Sequence, residues 1–219
     1  MNQLFNPDSP VLGFITKIVY CVYLNILWLV CSLPIVTIGA STTALFYVTL
    51  KMAKNEEGNI TRAFFHSFKE NFRQGTVIWM ILLVLGTVLG IDGYVLYHMR
   101  FENAFWAICS AVFIVVLAAY AIVVMYIFPL LSRFDNTVAA MFKNSIMLGM
   151  RFLLCTVLMA VIYFVMAFVI INIFTPAVIF GEGLCAFLCS CLLSNILLMC
   201  QEKAENTPEA SEDTEEELS

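Results

Sequence analysis

Charge is what this chain has least of. Only 12% of its 219 residues are Asp, Glu, Lys or Arg, against 62% that are hydrophobic, and its mean hydropathy is +0.92. A soluble domain of this size carries about a quarter charged residues. So few polar side chains do not cover a water-facing surface, which makes lipid the solvent for much of the chain. Histidine is almost missing as well: His66 and His98 are the two in the sequence. There is no Ser/His/Asp set, P-loop, H-E-x-x-H pair or Gly-rich phosphate loop. On those grounds an enzyme is not expected, nor a cofactor, and no nucleic-acid partner is expected. The opening "MNQLFNPDSP" has no basic stretch and no A-x-A site follows, so a cleavable signal peptide is not expected either.

Cysteine is present, eight times, but mainly inside apolar runs where a thiol behaves as a small hydrophobe. Cys185, Cys189 and Cys191 share a segment without a His or carboxylate spaced to complete a zinc site. The net charge of −5 is unevenly placed. Residues 1–200 carry ten Lys/Arg against eight Asp/Glu, whereas 201–219, "QEKAENTPEASEDTEEELS", carries one Lys and eight acids. A blocky acidic tail without aromatics buries too little surface to fold, so it is expected to be disordered. The expected organisation is one transmembrane helical domain over 1–200, followed by this cytoplasmic tail.

A helix needs about 20 apolar residues to cross roughly 30 Å of hydrocarbon. Segments at about 12–33, 76–97, 104–128 and 151–173 qualify, and 177–200 is apolar apart from "GEG" near its start. Segment 40–53, "ASTTALFYVTLKMA", is short and rich in hydroxyls. Pro34 disfavours a straight helix through it, so a helix break from Pro34 to Gly39 is expected to reverse the chain, with Ser41 as a cap for the new helix. Loop 51–75 holds Lys51, Lys54, Arg62, Lys69 and Arg73, and loop 129–151 holds Arg133, Lys143 and Arg151. The linkers 98–103 and 174–183 hold only Arg100. Basic residues gather on the cytoplasmic side, which places both long loops inside. The expected fold is therefore all-α, a polytopic membrane bundle of six transmembrane helices in the cell membrane. Both termini are then cytoplasmic and the Pro34–Gly39 turn faces out. The alternative is five crossings, with 40–53 not spanning and the N-terminus outside.

Loop 51–75 contains "NITRAFFHSFKENFR", in which Ile60, Phe64, Phe68 and Phe72 recur every four residues. Thr61, Arg62, His66, Lys69, Glu70 and Arg73 take much of the opposite side, which makes an amphipathic helix. Phe64, Phe68, Phe72, Arg62, Lys69 and Arg73 are its candidate contacts with the inner lipid headgroups or a cytoplasmic partner. Loop 129–151 makes a second such helix, with Asp135 as N-cap and Val138, Met141, Phe142 and Ile146 as its apolar side. "FKENFRQG" at 68–75 echoes "FKNSIMLG" at 142–149, which suggests two parallel repeats of span, cytoplasmic segment and span. Asp92, about five residues from the outer end of its span, is the one acid read as well inside a crossing and is a transport candidate. Asn25, Asn172 and Asn195 are expected to make interhelical hydrogen bonds, and Gly86-x-x-x-Gly90 is a face for a homo-oligomer.

"NILWLVCSLPIVTIGASTTALFYVTLK" at 25–51, followed by "EEGNITRAFFHSFKENFRQGTVIW" at 56–79, resembles the YesL family. These are small bacterial membrane proteins, mostly Gram-positive, with a domain of unknown function. The motifs cover roughly residues 25–79, and the rest matches mainly in hydropathy and length. The resemblance implies no fixed activity and no catalytic residues. It implies a genomic setting beside carbohydrate ABC importers and polysaccharide-degradation genes. The expectation that follows is a non-enzymatic accessory or regulator of such an importer, touching its permease or ATPase subunits through the two amphipathic helices. The alternative is a small-solute transporter or channel in its own right, with the Pro34–Gly39 break lining its site.

Overall fold

A computed structural model describes residues 10–56, 58–99, 104–172 and 181–199. The acidic tail and the residues at 100–103 and 173–180, where Arg100 lies, are outside the described residues. The described chain is mostly helical, as the hydropathy pattern requires: α1 (Pro10–Cys31), α2 (Ile38–Ala53), α3 (Ile60–Glu70), α4 (Phe72–Met99), α5 (Ala104–Leu131), α6 (Val138–Arg151) and α7 (Leu153–Asn172). A last helix, α8, covers Gly181–Met199. Five helical segments are long and apolar enough to cross a membrane, Ile35–Ala53 among them, and a sixth apolar stretch, Ile15–Cys31, is shorter. The protein is an all-α helical membrane bundle. Large apolar side chains on α4, α5 and α7, such as Val84, Ile114 and Phe164, are left exposed for lipid to cover.

The chain reverses where the proline stands. Residues Ile35–Thr37 form one 3-10 turn after Pro34. The Thr37 hydroxyl lies 2.6 Å from the Cys31 carbonyl and 2.7 Å from that of Pro34, so it closes the end of α1. α1 and α2 are antiparallel: Lys17 Nζ donates to Asn55 Oδ1 at 2.6 Å near one end, and Trp28 Nε1 donates to Thr42 Oγ1 at 3.1 Å near the other. Ser41 caps nothing, because α2 begins three residues earlier and buries it.

The hydroxyls that set α2 apart are the reason it tolerates the centre of the bundle. Thr42, Thr43 and Thr49 donate to the carbonyls of Ile38, Gly39 and Leu45, one turn back, at 2.8, 2.9 and 3.0 Å. A hydroxyl satisfied by its own helix is buried without an orphaned donor. All of Gly39–Phe46 is buried, with α1, α3, α4 and α5 packed against α2.

Gly39 decides where the turn sits. A Cβ there would collide with the Gly75 carbonyl oxygen and come 2.6 Å from Trp79 Cβ, and one on Gly75 would lie 3.1 Å from Ala40 Cα. The first turns of α2 and α4 thus meet backbone to backbone, at one level of the bundle. The start of α4 thus lies level with the Pro34–Gly39 turn, whereas Asn55, earlier in segment 51–75, lies at the far end of the α1–α2 hairpin.

The two amphipathic segments are helices, each followed by a break and a long apolar helix. α3 ends at Asn71, just before α4, and α6 ends at Phe152, just before α7. Gly75 lies beyond the first break and packs on α2; Gly149 lies before the second and packs on Ile122 and Tyr126 of α5. The two glycines that the echo aligns therefore sit on opposite sides of their breaks, Gly75 in α4 and Gly149 in α6. The α6 cap is Thr137, which accepts from Ala140 N at 3.4 Å, rather than Asp135.

Candidate functional site

The membrane-level amides lead to the site. Asn25, fully buried on α1, accepts a hydrogen bond from Gly183 N at 2.9 Å. One orphan donor at the start of α8 is satisfied by another helix. Asn172 instead bonds Phe168 O within α7, and Asn195 is exposed. "GEG" is the tightly packed first turn of α8 rather than an interruption of it. A Cβ on Gly183 would strike the Cys21 carbonyl oxygen, and one on Gly181 would lie 3.4 Å from Met166 and Ile170 of α7. Glu182, between these glycines, is held where α8 meets α1 and α7.

There it lines a cavity of about 660 Å³. Six aromatic side chains contribute to the wall: Trp28 from α1, Phe46 from α2, Trp79 from α4, Tyr120 and Phe128 from α5, and Tyr163 from α7. Thr42 from α2 adds a hydroxyl, and Leu117 and Ala121 of α5, both exposed, stand at the rim. Several of the polar atoms are already engaged, whereas Trp79 Nε1 is enclosed without a hydrogen-bond partner. Trp28 Nε1 donates to Thr42 Oγ1, which lies 2.8 Å from Ile38 O as its donor, and Tyr120 OH donates to Leu82 O at 3.0 Å. Glu182 is the one carboxylate in the wall, and no Lys, Arg or His joins it. Among the described residues no cation pairs with it.

Sequence reasoning passed over Glu182 in favour of Asp92. Asp92 is exposed and lines a separate cavity of about 460 Å³ with Trp106, Cys109 and Phe113, between α4 and α5. The two acids are not brought together. The available signal for Glu182 was its pair of flanking glycines, since small neighbours let a charged residue sit where helices touch.

The predicted contact residues lie on α3, apart from Phe72 and Arg73, which the break at Asn71 places in the first turn of α4, and they divide by face. Phe64, Phe68 and Phe72 form a ring ladder, with centroids 6.4 and 5.5 Å apart. Phe64 is fully buried, Phe68 half-buried and Phe72 40% exposed. Phe64 thus packs on the protein's own core, because α3 lies along α2, and is not a contact for lipid or a partner. Arg62, Phe65, Lys69 and Arg73 are exposed. Beyond the end of α2, burial and the neighbouring Arg133 hold Lys54 below the usual lysine range, with Glu56 opposing them. Burial likewise lowers Arg133, whose Nη2 is enclosed without a hydrogen-bond partner. Among the described residues Gly86 packs on the Tyr120 side chain of α5 and Gly90 meets nothing, so neither glycine brings another helix's backbone close.

A family profile described as "Protein of unknown function, DUF624" matches residues 21–93. "Uncharacterized protein YesL" of Bacillus subtilis (strain 168) is 28% identical over 151 residues, 67% of this chain and 70% of that protein. "Uncharacterized protein YteU" of the same organism is 27% identical over 154 residues, 68% and 67% of the two chains. No solved structure matches the chain significantly. These matches support the assignment to the YesL family made from residues 25–79. The profile spans the hairpin, α3 and Trp79, and stops before α8 and Glu182.

Proposed function

For a chain assigned to the YesL family, we propose a non-enzymatic, multi-pass protein of the cell membrane that binds a small solute within its bundle, as a transporter does. The observation that carries this is the cavity: helices from both ends of the chain converge on one roomy, aromatic-walled space holding a single acid. Its volume falls within the roughly 300–1,000 Å³ of small-molecule sites, and acids at membrane depth mark solute paths by default. The α1–α2 hairpin supplies Trp28, Ile38 and Thr42 to the wall, so the break at Pro34–Gly39 borders the cavity as broken helices border transporter sites. Native mass spectrometry of protein extracted from its own membranes tests this. A small-molecule adduct on the parent, absent from Ala121→Trp, supports the proposal; a parent that is empty or carries only lipid overturns it.

A second reading keeps the importer-accessory role, with contact to permease or ATPase subunits. What favours it is the outward face of α3, where Arg62, Phe65 and Lys69 stand exposed on a helix anchored by Phe64. The contact surface in that reading is this basic face rather than the phenylalanine ladder.

A further inference from the structure

The chemistry of the wall narrows the solute, an inference that rests on the solute-binding reading above. An anion finds no partner, since no Lys, Arg or His lines the cavity. A sugar or other polyol needs several free hydrogen-bonding groups. Here Thr42, Trp28 and Tyr120 are committed to one another or to backbone carbonyls. What remains is one carboxylate, one enclosed indole N–H on Trp79 that has no hydrogen-bond partner, and a set of ring faces, too few polar groups for a polyol. Aromatic faces attract cations within about 6 Å of their centroids, more strongly where water is excluded. A half-buried carboxyl group without a protein partner offers a counter-charge to a bound cation.

We infer that the cavity binds a hydrophobic organic monocation, with Glu182 pairing the charge and Trp28, Trp79, Tyr120 and Tyr163 enclosing the apolar body. One acid matches one positive charge, so a dication leaves a charge unpaired and a neutral ligand leaves Glu182 unpaired. The exposed rim at Leu117 and Ala121 suits a ligand of this kind, because an amphiphilic cation partitions into the bilayer and reaches the cavity from the lipid side.

The test uses two probe ions of nearly equal size and opposite charge, tetraphenylphosphonium and tetraphenylborate, titrated onto the purified full chain in lipid nanodiscs. Expected is saturable binding of the phosphonium and none of the borate. Glu182→Gln weakens phosphonium binding by about tenfold or more. Comparison of the two ions on the unmodified protein needs no variant to fold. Equal binding of both ions, or phosphonium binding that Glu182→Gln leaves unchanged, overturns the cation inference while leaving a solute cavity. Binding of neither ion overturns it as well; if the extracted protein is also empty or lipid-filled, the solute-binding reading falls with it.

Discussion

At the scale of single residues, three glycines do work that no larger side chain does. Gly39 and Gly183 each face a backbone carbonyl of another helix, and Gly75 faces the backbone of Gly39 and Ala40. Backbone does not swing aside as a side-chain tip does, so the cost of a methyl group is not relieved by repacking. Gly39→Ala is expected to destabilise the protein by about 1–3 kcal/mol, the range for overpacking. Gly90→Ala, with nothing within 4 Å of its new Cβ, is expected to be neutral or to stabilise by up to about 1 kcal/mol through helix propensity. Melting in detergent checks both. A Gly39→Ala protein as stable as its parent removes the backbone contact between α2 and α4. Glu182 belongs to the same scale: hydropathy averages hid it, and only the two glycines beside it hinted that helices meet there.

At the scale of elements, α3 shows how far periodicity reaches. The four-residue spacing of Ile60, Phe64, Phe68 and Phe72 was legible as an amphipathic helix, and the structure has one over Ile60–Glu70. Spacing does not say what the apolar face meets. α3 folds back along α2, so Phe64 joins the core while Arg62 and Lys69 stay outside. Phe64→Ala is therefore expected to cost about 3–5 kcal/mol. The pair Arg62→Glu and Lys69→Glu is expected to stay within about 0.5 kcal/mol of the parent, as surface changes do. Under the accessory reading, that charge-reversed pair also loses importer subunits from a crosslinked capture in cells. A folded charge-reversed protein that still recovers those subunits ends that version of the accessory role. α6 repeats the theme one step later in the chain, with its cap at Thr137 and its end at Phe152.

At the scale of the whole molecule, the contact between Gly39 and Gly75 bears on topology. Leu33, 74% exposed at the turn, and Arg73, exposed at the start of α4, lie at one level of the bundle. Cysteines placed there, in a background cleared of reactive native thiols, are expected to react with an impermeant reagent from the same side of the membrane. Labelling from opposite sides restores the six-crossing layout with an outward turn. Composition alone determined the solvent: too few charges for water, enough apolar length for several helices, and hence an all-α membrane bundle. Local spacing determined the amphipathic helices, and Pro34 determined that the chain bends. Tertiary structure decided what that bend packs against, the inward face of α3 and the cavity around Glu182. Each of these depends on which helix a residue meets, and glycine contacts between segments far apart in the chain settle that question only once the helices pack.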